Sequence, residues 1–400
     1  MDHTRVATIC SPHRIVLLLG IVFLLSAAAS CSPRRVPTET AAPYHPYRIA
    51  AGVPARPGSA SWSPDGKQLA FLTTTVSIYD REQGTLKTLA IRDPSYLLWS
   101  AEQELLVIAE SADPPVLFVV KTDTFVVTQH ALGPGARAVY DLDADRLIVL
   151  SAKKTVQKLW IEMQYQFSTY DRRDNTQRNL HSFNKVYPRR IPSELLLAWL
   201  HAGLDPLNNE LLVLELVTPP VVSPYTRLKS IDVLTGIASE IAAPEKTVYP
   251  ASSWSPDGSR IALSEASGRL VILDLRAAAN TVRAAVTGSS PSWNPRGSQI
   301  YIGGYLVQSN GKTETALLAE GSRSIGFWSR DGTRLAVAAD GDLWLFDGFT
   351  PAFLPIDKPL DDQLKNKLSL LKSLWNDGLI SRQEYQDRHT RLLERSEVLP

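Results

Sequence analysis

Apolar runs of four to six residues alternate with turn-forming clusters along the central chain, and the pattern returns at roughly 40-residue intervals. Ser61-Trp62-Ser63-Pro64-Asp65-Gly66-Lys67-Gln68-Leu69-Ala70-Phe71 recurs as Ser253-Trp254-Ser255-Pro256-Asp257-Gly258-Ser259-Arg260-Ile261-Ala262-Leu263. Weaker copies are Ser292-Trp293-Asn294-Pro295-Arg296-Gly297 and Phe327-Trp328-Ser329-Arg330-Asp331-Gly332. Degenerate copies start at Leu98-Trp99-Ser100, Val139-Tyr140-Asp141 and Leu204-Asp205-Pro206. Each unit reads as an aromatic strand, a Pro-Asp-Gly type turn and a second strand apolar on both faces. A third strand then closes on an acid, as in Ile78-Tyr79-Asp80, Ile272-Leu273-Asp274 and Leu345-Phe346-Asp347, and a fourth follows it. Four antiparallel strands repeated in this way predict an all-β chain, a β-propeller of seven four-stranded blades over residues 59–356. Six or eight blades also fit the count.

The two ends follow other patterns. In residues 1–30, Arg5 and Arg14 precede an apolar run over 15–25 and the small residues Ser26-Ala27-Ala28-Ala29-Ser30. That run is shorter than the ~20 residues that span a bilayer, which favours a cleaved signal peptide over a permanent helix. An uncleaved anchor and an ordinary signal cut near Ala29 are the alternatives. Residues 31–58 carry Pro33, Pro37, Pro43, Pro46, Pro54 and Pro57 and read as an extended tether. Residues 357–400 switch to a helical period. Leu364, Leu368, Leu371 and Trp375 form one stripe, Gly378 suits a left-handed cap, and Ser381-Arg382-Gln383-Glu384 is a capping box. The prediction there is a small α-helical hairpin. It is too short to bury a core alone, so it must pack on the propeller, on another copy or on a partner.

Three stretches resemble known families. The Trp-Ser-Pro-Asp-Gly repeat resembles the TolB family and the WD-like repeats of tricorn-type and dipeptidyl-peptidase propellers. Ala28-Ala29-Ser30-Cys31 resembles the bacterial lipobox, with Ala28 where the pattern prefers Leu. That resemblance implies lipid attachment, of palmitate type, at Cys31 after signal removal. It further implies a lipoprotein tethered on the extracytoplasmic side, at the outer membrane where the cell has one and otherwise at the cell membrane. Residues 364–395 look like a SHOCT domain, departing from it at His389 and Thr390. A SHOCT-like hairpin implies docking or self-association through 364–395.

Charge and chemistry narrow the function further. A formal net charge of +1 gives no global field for nucleic acid, and no nucleic-acid partner is expected. Of 2 cysteines, Cys10 leaves with the signal, so no intrachain disulfide forms. A hydrolase built on such a propeller would need a Gly-x-Ser-x-Gly elbow; Gly321-Ser322-Arg323-Ser324-Ile325-Gly326 has the wrong spacing. His45, His130, His181, His201 and His389 share no ligand spacing. Asp141, Asp143 and Asp145 alternate like a calcium loop, but Arg146 and Ala152 occupy its glycine and glutamate positions. No glycine-rich nucleotide motif occurs, so no catalytic residue, metal or cofactor is expected. Asp65, Asp257 and Asp331 repeat because such turns use aspartate to bond backbone amides.

One segment departs from the repeat. Arg172, Arg173, Arg178, Lys185, Arg189 and Arg190 interleave with Tyr165, Phe167, Tyr170, Phe183 and Tyr187. Such a surface could take an anionic glycan, a lipid headgroup or a protein; the plainer reading is a long solvated hairpin. Residues 217–225, proline-rich, form a second candidate loop. The function expected is a membrane-anchored lipoprotein whose propeller is a scaffold for an envelope protein or glycan. The alternative is an enzyme, a glycan lyase or hydrolase, using the propeller channel.

Overall fold

The computed structural model describes Thr38, residues 44–349 apart from 102, 111–113, 143–144, 192–195, 197–202, 205–209, 220–222, 244, 276–280 and 319–322, and also Leu371, Lys372 and Tyr385. The expected signal segment, Cys31 and most of the expected helical hairpin lie outside the described residues. Leu371, Lys372 and Tyr385 carry helical backbone, and Leu371 and Tyr385 are buried.

Among the described residues, seven antiparallel sheets follow one another along the chain. Blade 1 consists of Ala60–Trp62, Gln68–Leu72, Val76–Asp80 and Thr85–Leu89. Blade 2 is Pro94–Ala101, Glu104–Ala109, Val116–Lys121 and Val127–Ala131. Blade 3 is the longest, with Ala136–Asp141, Arg146–Val156, Trp160–Asp171 and Thr176–Pro188. Blade 4 has Glu210–Val217, Tyr225–Asp232 and Ala238–Ile241, and a Leu204–Leu211 bridge stands where its innermost strand belongs. Blade 5 is Ala251–Trp254, Arg260–Ser264, Arg269–Asp274 and Thr281–Thr287. Blade 6 is Ser292–Trp293, Gln299–Ile302, Tyr305–Gln308 and Thr313–Ala316. Blade 7 takes Ser324–Trp328, Leu335–Ala339 and Asp342–Phe346 from the end of the repeat and Tyr47–Ala51 from its beginning. The molecule is therefore an all-β, seven-bladed propeller, as the repeat predicts.

Ring closure departs from the sequence reading. Tyr47–Ala51 falls within the tether expected over 31–58, yet it pairs antiparallel with Asp342–Phe346, and Arg48 bonds Asp342 at 2.7 Å. The reason is physical. Without this strand the last blade would leave a row of unpaired backbone groups at its edge.

Packing runs around the wheel. The second strand of each blade is covered on both faces, so Leu69, Leu105, Leu147, Leu211, Ile261, Ile300 and Leu335 are 0% exposed. Apolar clusters bridge neighbouring blades. Leu69 and Phe71 of blade 1 pack with Ile325 and Ala336 of blade 7, and Leu212 and Leu214 pack with Ile261 and Leu263 across blades 4 and 5. Tryptophans staple the inner strands. The indoles of Trp62, Trp254, Trp293 and Trp328 donate to the carbonyls of Phe327, Gly203, Ser253 and Ser292 in the preceding blade, at 2.9, 2.9, 3.1 and 3.2 Å.

Two faces result. Turns between first and second strands share one face with turns between third and fourth strands, as the Arg81 N–H to Lys67 carbonyl bond shows. We call this the lower face. The upper face carries the turns between second and third strands and the blade-to-blade connections.

Candidate functional site

The lower-face turns behave as structural parts. Ser255 Oγ accepts the Arg260 N–H at 2.9 Å and donates to Asp257 at 2.6 Å, while Asp257 accepts the Ser259 N–H at 3.1 Å. Ser63–Asp65 and Ser329–Asp331 repeat this arrangement with hydroxyl–carboxylate distances of 2.6 Å. Gly66, Gly258 and Gly332 close the turns with φ of 68°, 63° and 67°, where a Cβ would be strained. Burial pushes the Asp257 and Asp331 carboxyls up, but hydroxyl and backbone donors outweigh it and hold both below the usual range.

In blade 6, Asn294 and Arg296 replace the Ser and Asp of the turn. Beside them lies a polar cavity of about 490 Å³, lined by Tyr44, Arg296, Gln308, Ser309, Asn310 and Phe349 among others. Its described lining holds no carboxylate or imidazole. Such a cavity suits a polar ligand better than proton-transfer chemistry. Among the described residues no group of three or more His, Cys, Asp or Glu could hold a metal ion.

The strongest departure from the wheel is the blade 3 extension. The Ala152 N–H bonds the Gly135 carbonyl at the upper rim, and Arg146–Val156 and Trp160–Asp171 then run on to a tip at residues 156–160. From Ala152 to Gln157, whose N–H bonds the Trp160 carbonyl across the tip, the rise is about 17 Å. One face of the extension is buried through Ile161, Met163, Tyr165, Phe167 and Tyr187; the other presents Glu162, Gln164, Ser182 and Asn184 to solvent.

Blade 4 holds that buried face. Glu215, its side chain 1% exposed, pairs with Lys185 of the extension and lies 2.7 Å from Lys229 of its own blade. Burial alone would raise the Glu215 carboxyl, but hydrogen bonds and charge from the two lysines prevail and hold it below the usual range. The Tyr165 and Tyr187 hydroxyls donate to the Leu196 and Leu216 carbonyls at 2.9 and 3.4 Å, and burial pushes both phenols up. Burial and the Lys229 charge push the His181 imidazole down. An ionised, ion-paired carboxylate beside two raised phenols is a clamp rather than an acid–base pair.

The six basic residues do not form one patch. Trp160–Asp171 spans about 36 Å, and they divide between its ends. At the lower end Arg172 reaches to blade 2, bonding Glu104 and, at 2.8 Å, Ser100, and it also lies 3.1 Å from Asp141 of its own blade. Arg173 pairs with Asp145, and Arg178 lies exposed opposite Thr169. Lys185 serves the clamp. Only Arg189 and Arg190 reach the upper tip, where the Arg189 N–H bonds the Leu159 carbonyl at 3.2 Å.

Sequence reasoning passed over the tip itself, Val156, Lys158, Leu159 and Trp160, and the clamp acid Glu215. The available signal was an over-long second strand, since Arg146–Val156 continues past the length at which other blades turn. Of the second candidate loop, 217–225, the described ends, Val217 and Tyr225, pair with each other next to Leu216 at the upper end of blade 4.

No protein-family model matches the chain, and a search of curated proteins gives no match. Solved structures do match. One is the hydrazine synthase of Kuenenia stuttgartiensis, with 13% identity, a TM-score of 0.54, and coverage of 75% of this chain and 97% of that one. Another belongs to a mitotic checkpoint complex, with 14% identity, a TM-score of 0.51, and coverage of 80% and 94%. At such identities the likeness shows the fold alone. What fold and surface define together is a seven-bladed propeller scaffold with one blade enlarged and clamped to its neighbour.

Proposed function

We propose that this propeller is an exported lipoprotein, held to a membrane through acyl chains on Cys31, that binds an envelope protein or glycan on its upper face. The observation that carries the binding role is the blade 3 extension. It is an addition that ring closure does not require, and it is fixed by a buried ion cluster at Glu215 with a hydrogen-bonding strand face left to solvent. Rigid blades presenting one irregular element suit recognition, because the bound geometry is prepared beforehand. The TolB-like repeat and the lipobox-like Cys31 support the location. The SHOCT-like tail adds a docking element. Lys372 lies 3.7 Å from Asp232 of blade 4, so we assign one side of the tail to its own propeller and any second copy to the remainder of 364–395.

A photo-crosslinking residue at Gln164, on the exposed strand face, tests the binding role in cells expressing the full chain. Discrete envelope adducts at Gln164, lacking from a control at Leu86 in blade 1, are the expected result. Equal or no adducts at both sites would remove the assigned surface. Intact mass of the full chain and of Cys31→Ser tests the anchor. Acyl mass on a chain beginning at Cys31, lost in the variant, is expected; a secreted chain without lipid would sink that part.

A further inference from the structure

Of the exposed large apolar side chains among the described residues, four gather at the blade 3 tip. Val156, Leu159, Trp160 and Val186 are 53%, 70%, 42% and 61% exposed. The others lie on or beside lower-face turns or on outer strands (Leu86, Val126, Val127, Leu234 and Ile237). Lys153, Lys158, Arg189 and Arg190 surround the tip and are exposed, and Glu162 is the nearby acid, accepting the Trp160 indole N–H at 3.3 Å. A half-exposed indole with a polar bond at its edge, between aliphatic side chains and a collar of cations, fits the boundary between acyl chains and anionic headgroups. A soluble protein partner would more often meet such a patch with hydrogen-bonding complementarity across a broad area. This tip instead projects about 17 Å beyond the rim.

Chain geometry points the same way. Thr38 N–H bonds the Leu317 carbonyl at 3.0 Å, and Leu317 N–H bonds the Gly304 carbonyl at 2.7 Å in the upper-face turn of blade 6. The chain thus joins the propeller at the face from which the tip projects. Six residues lie between Cys31 and Thr38, and the seven chain steps reach about 25 Å at most. A short anchor and a tall tip on one face can meet one bilayer together.

We propose that the 156–160 tip, with Val186, inserts into the anionic surface of the membrane that holds the anchor and so makes a second attachment point. This fixes the orientation of the wheel, and it rests on the anchored reading for which membrane is met. One anchor point leaves a protein free to swing, whereas a second contact raises the effective concentration of every upper-face group at the bilayer.

The test uses the full chain with Cys10→Ser and an environment-sensitive fluorophore on Leu159→Cys; Cys31 is blocked by its lipid or, where mass shows it bare, replaced by Ser. The protein is mixed with vesicles of phosphatidylethanolamine and phosphatidylglycerol. Expected are a blue shift, quenching by bromolipid and loss of iodide quenching. The effect should shrink on phosphatidylcholine vesicles and in Lys158→Gln/Arg190→Gln, while a probe at Leu234→Cys stays aqueous. An aqueous, iodide-quenched probe at 159 on anionic vesicles overturns the proposal. So does a blue shift that needs added envelope protein and is indifferent to bromolipid, which would make the tip a protein-docking site. Bromolipid quenching on a chain without acyl mass keeps the tip and ends the anchored reading; acyl mass with an aqueous probe does the reverse.

Discussion

At the scale of single residues, the repeat encodes a hydrogen-bonding circuit. Ser255 is 2% exposed, and its hydroxyl satisfies the Arg260 N–H while binding Asp257. Ser255→Ala strands one buried donor and one acceptor, so a loss of about 1–2 kcal/mol is expected in chemical denaturation, with the m-value unchanged. An unchanged midpoint would show that water replaces the hydroxyl. Trp254→Phe removes the bond to Gly203 but keeps most of the ring, and a loss of about 1 kcal/mol is expected. These roles were legible from sequence because Ser, Trp and Asp recur at fixed offsets in several units. Asn294 and Arg296, which break the pattern, also line the polar cavity, while Asn294 still accepts the Arg296 N–H at 2.8 Å within the turn; a single departure does not say on which side of the turn its side chain will lie.

Elements are where the sequence reading of the site divides. Basic residues at 172, 173, 178, 185, 189 and 190 look clustered along the chain. A strand of about 3.3 Å per residue carries them to opposite ends, however, and alternation sends Lys185 into the clamp. Which acid answers each cation depends on pairings between blades, and no local spacing reveals that Arg172 meets Glu104 or that Lys185 meets Glu215. The clamp has a pH signature. Because the folded Glu215 carboxyl sits below its unfolded value of about 4.3, its contribution is complete above that value and disappears as pH falls through the folded one. His181, held below its usual value, adds a loss in the same direction as it is forced to charge in acid near Lys229. Glu215→Gln leaves two half-buried ammonium groups without their counter-ion, and a cost of about 2 kcal/mol is expected at pH 7. Thermal unfolding of wild type and variant should differ at pH 7, begin to converge as pH falls below the ordinary carboxylate value, and meet once pH is below the depressed folded one. A constant gap across that range would mean that shape, not charge, makes the clamp.

For the whole molecule, the visible copies give the blade number directly, while the closing strand has no signature. Tyr47–Ala51 sits among prolines and reads as linker, since an outer strand bonds on one side and needs no Trp, turn or apolar run to mark it. Only the unmet edge of Asp342–Phe346 requires it, and that is a property of the closed ring rather than of any segment. Tyr44, just before this strand, adds to the closure: the Asp347 N–H bonds the Tyr44 carbonyl at 2.6 Å, and Tyr44 stacks on Phe349 at 4.3 Å. Pulling on the chain before Thr38 therefore loads the Thr38 contacts with Ala316 and Leu317 at the end of blade 6 first, and the blade 7 latch next. A chain starting at Thr38 keeps this latch, whereas one starting at Gly52 loses the strand and the Arg48–Asp342 pair. Calorimetry should find the first chain matching the full one. The second should unfold roughly 10 °C lower and associate with time, since four backbone pairings are gone and a long apolar edge is open. Equal melting of the two truncated chains would show that the wheel closes by side-chain packing between blades 7 and 1, with the strand serving only as a strap.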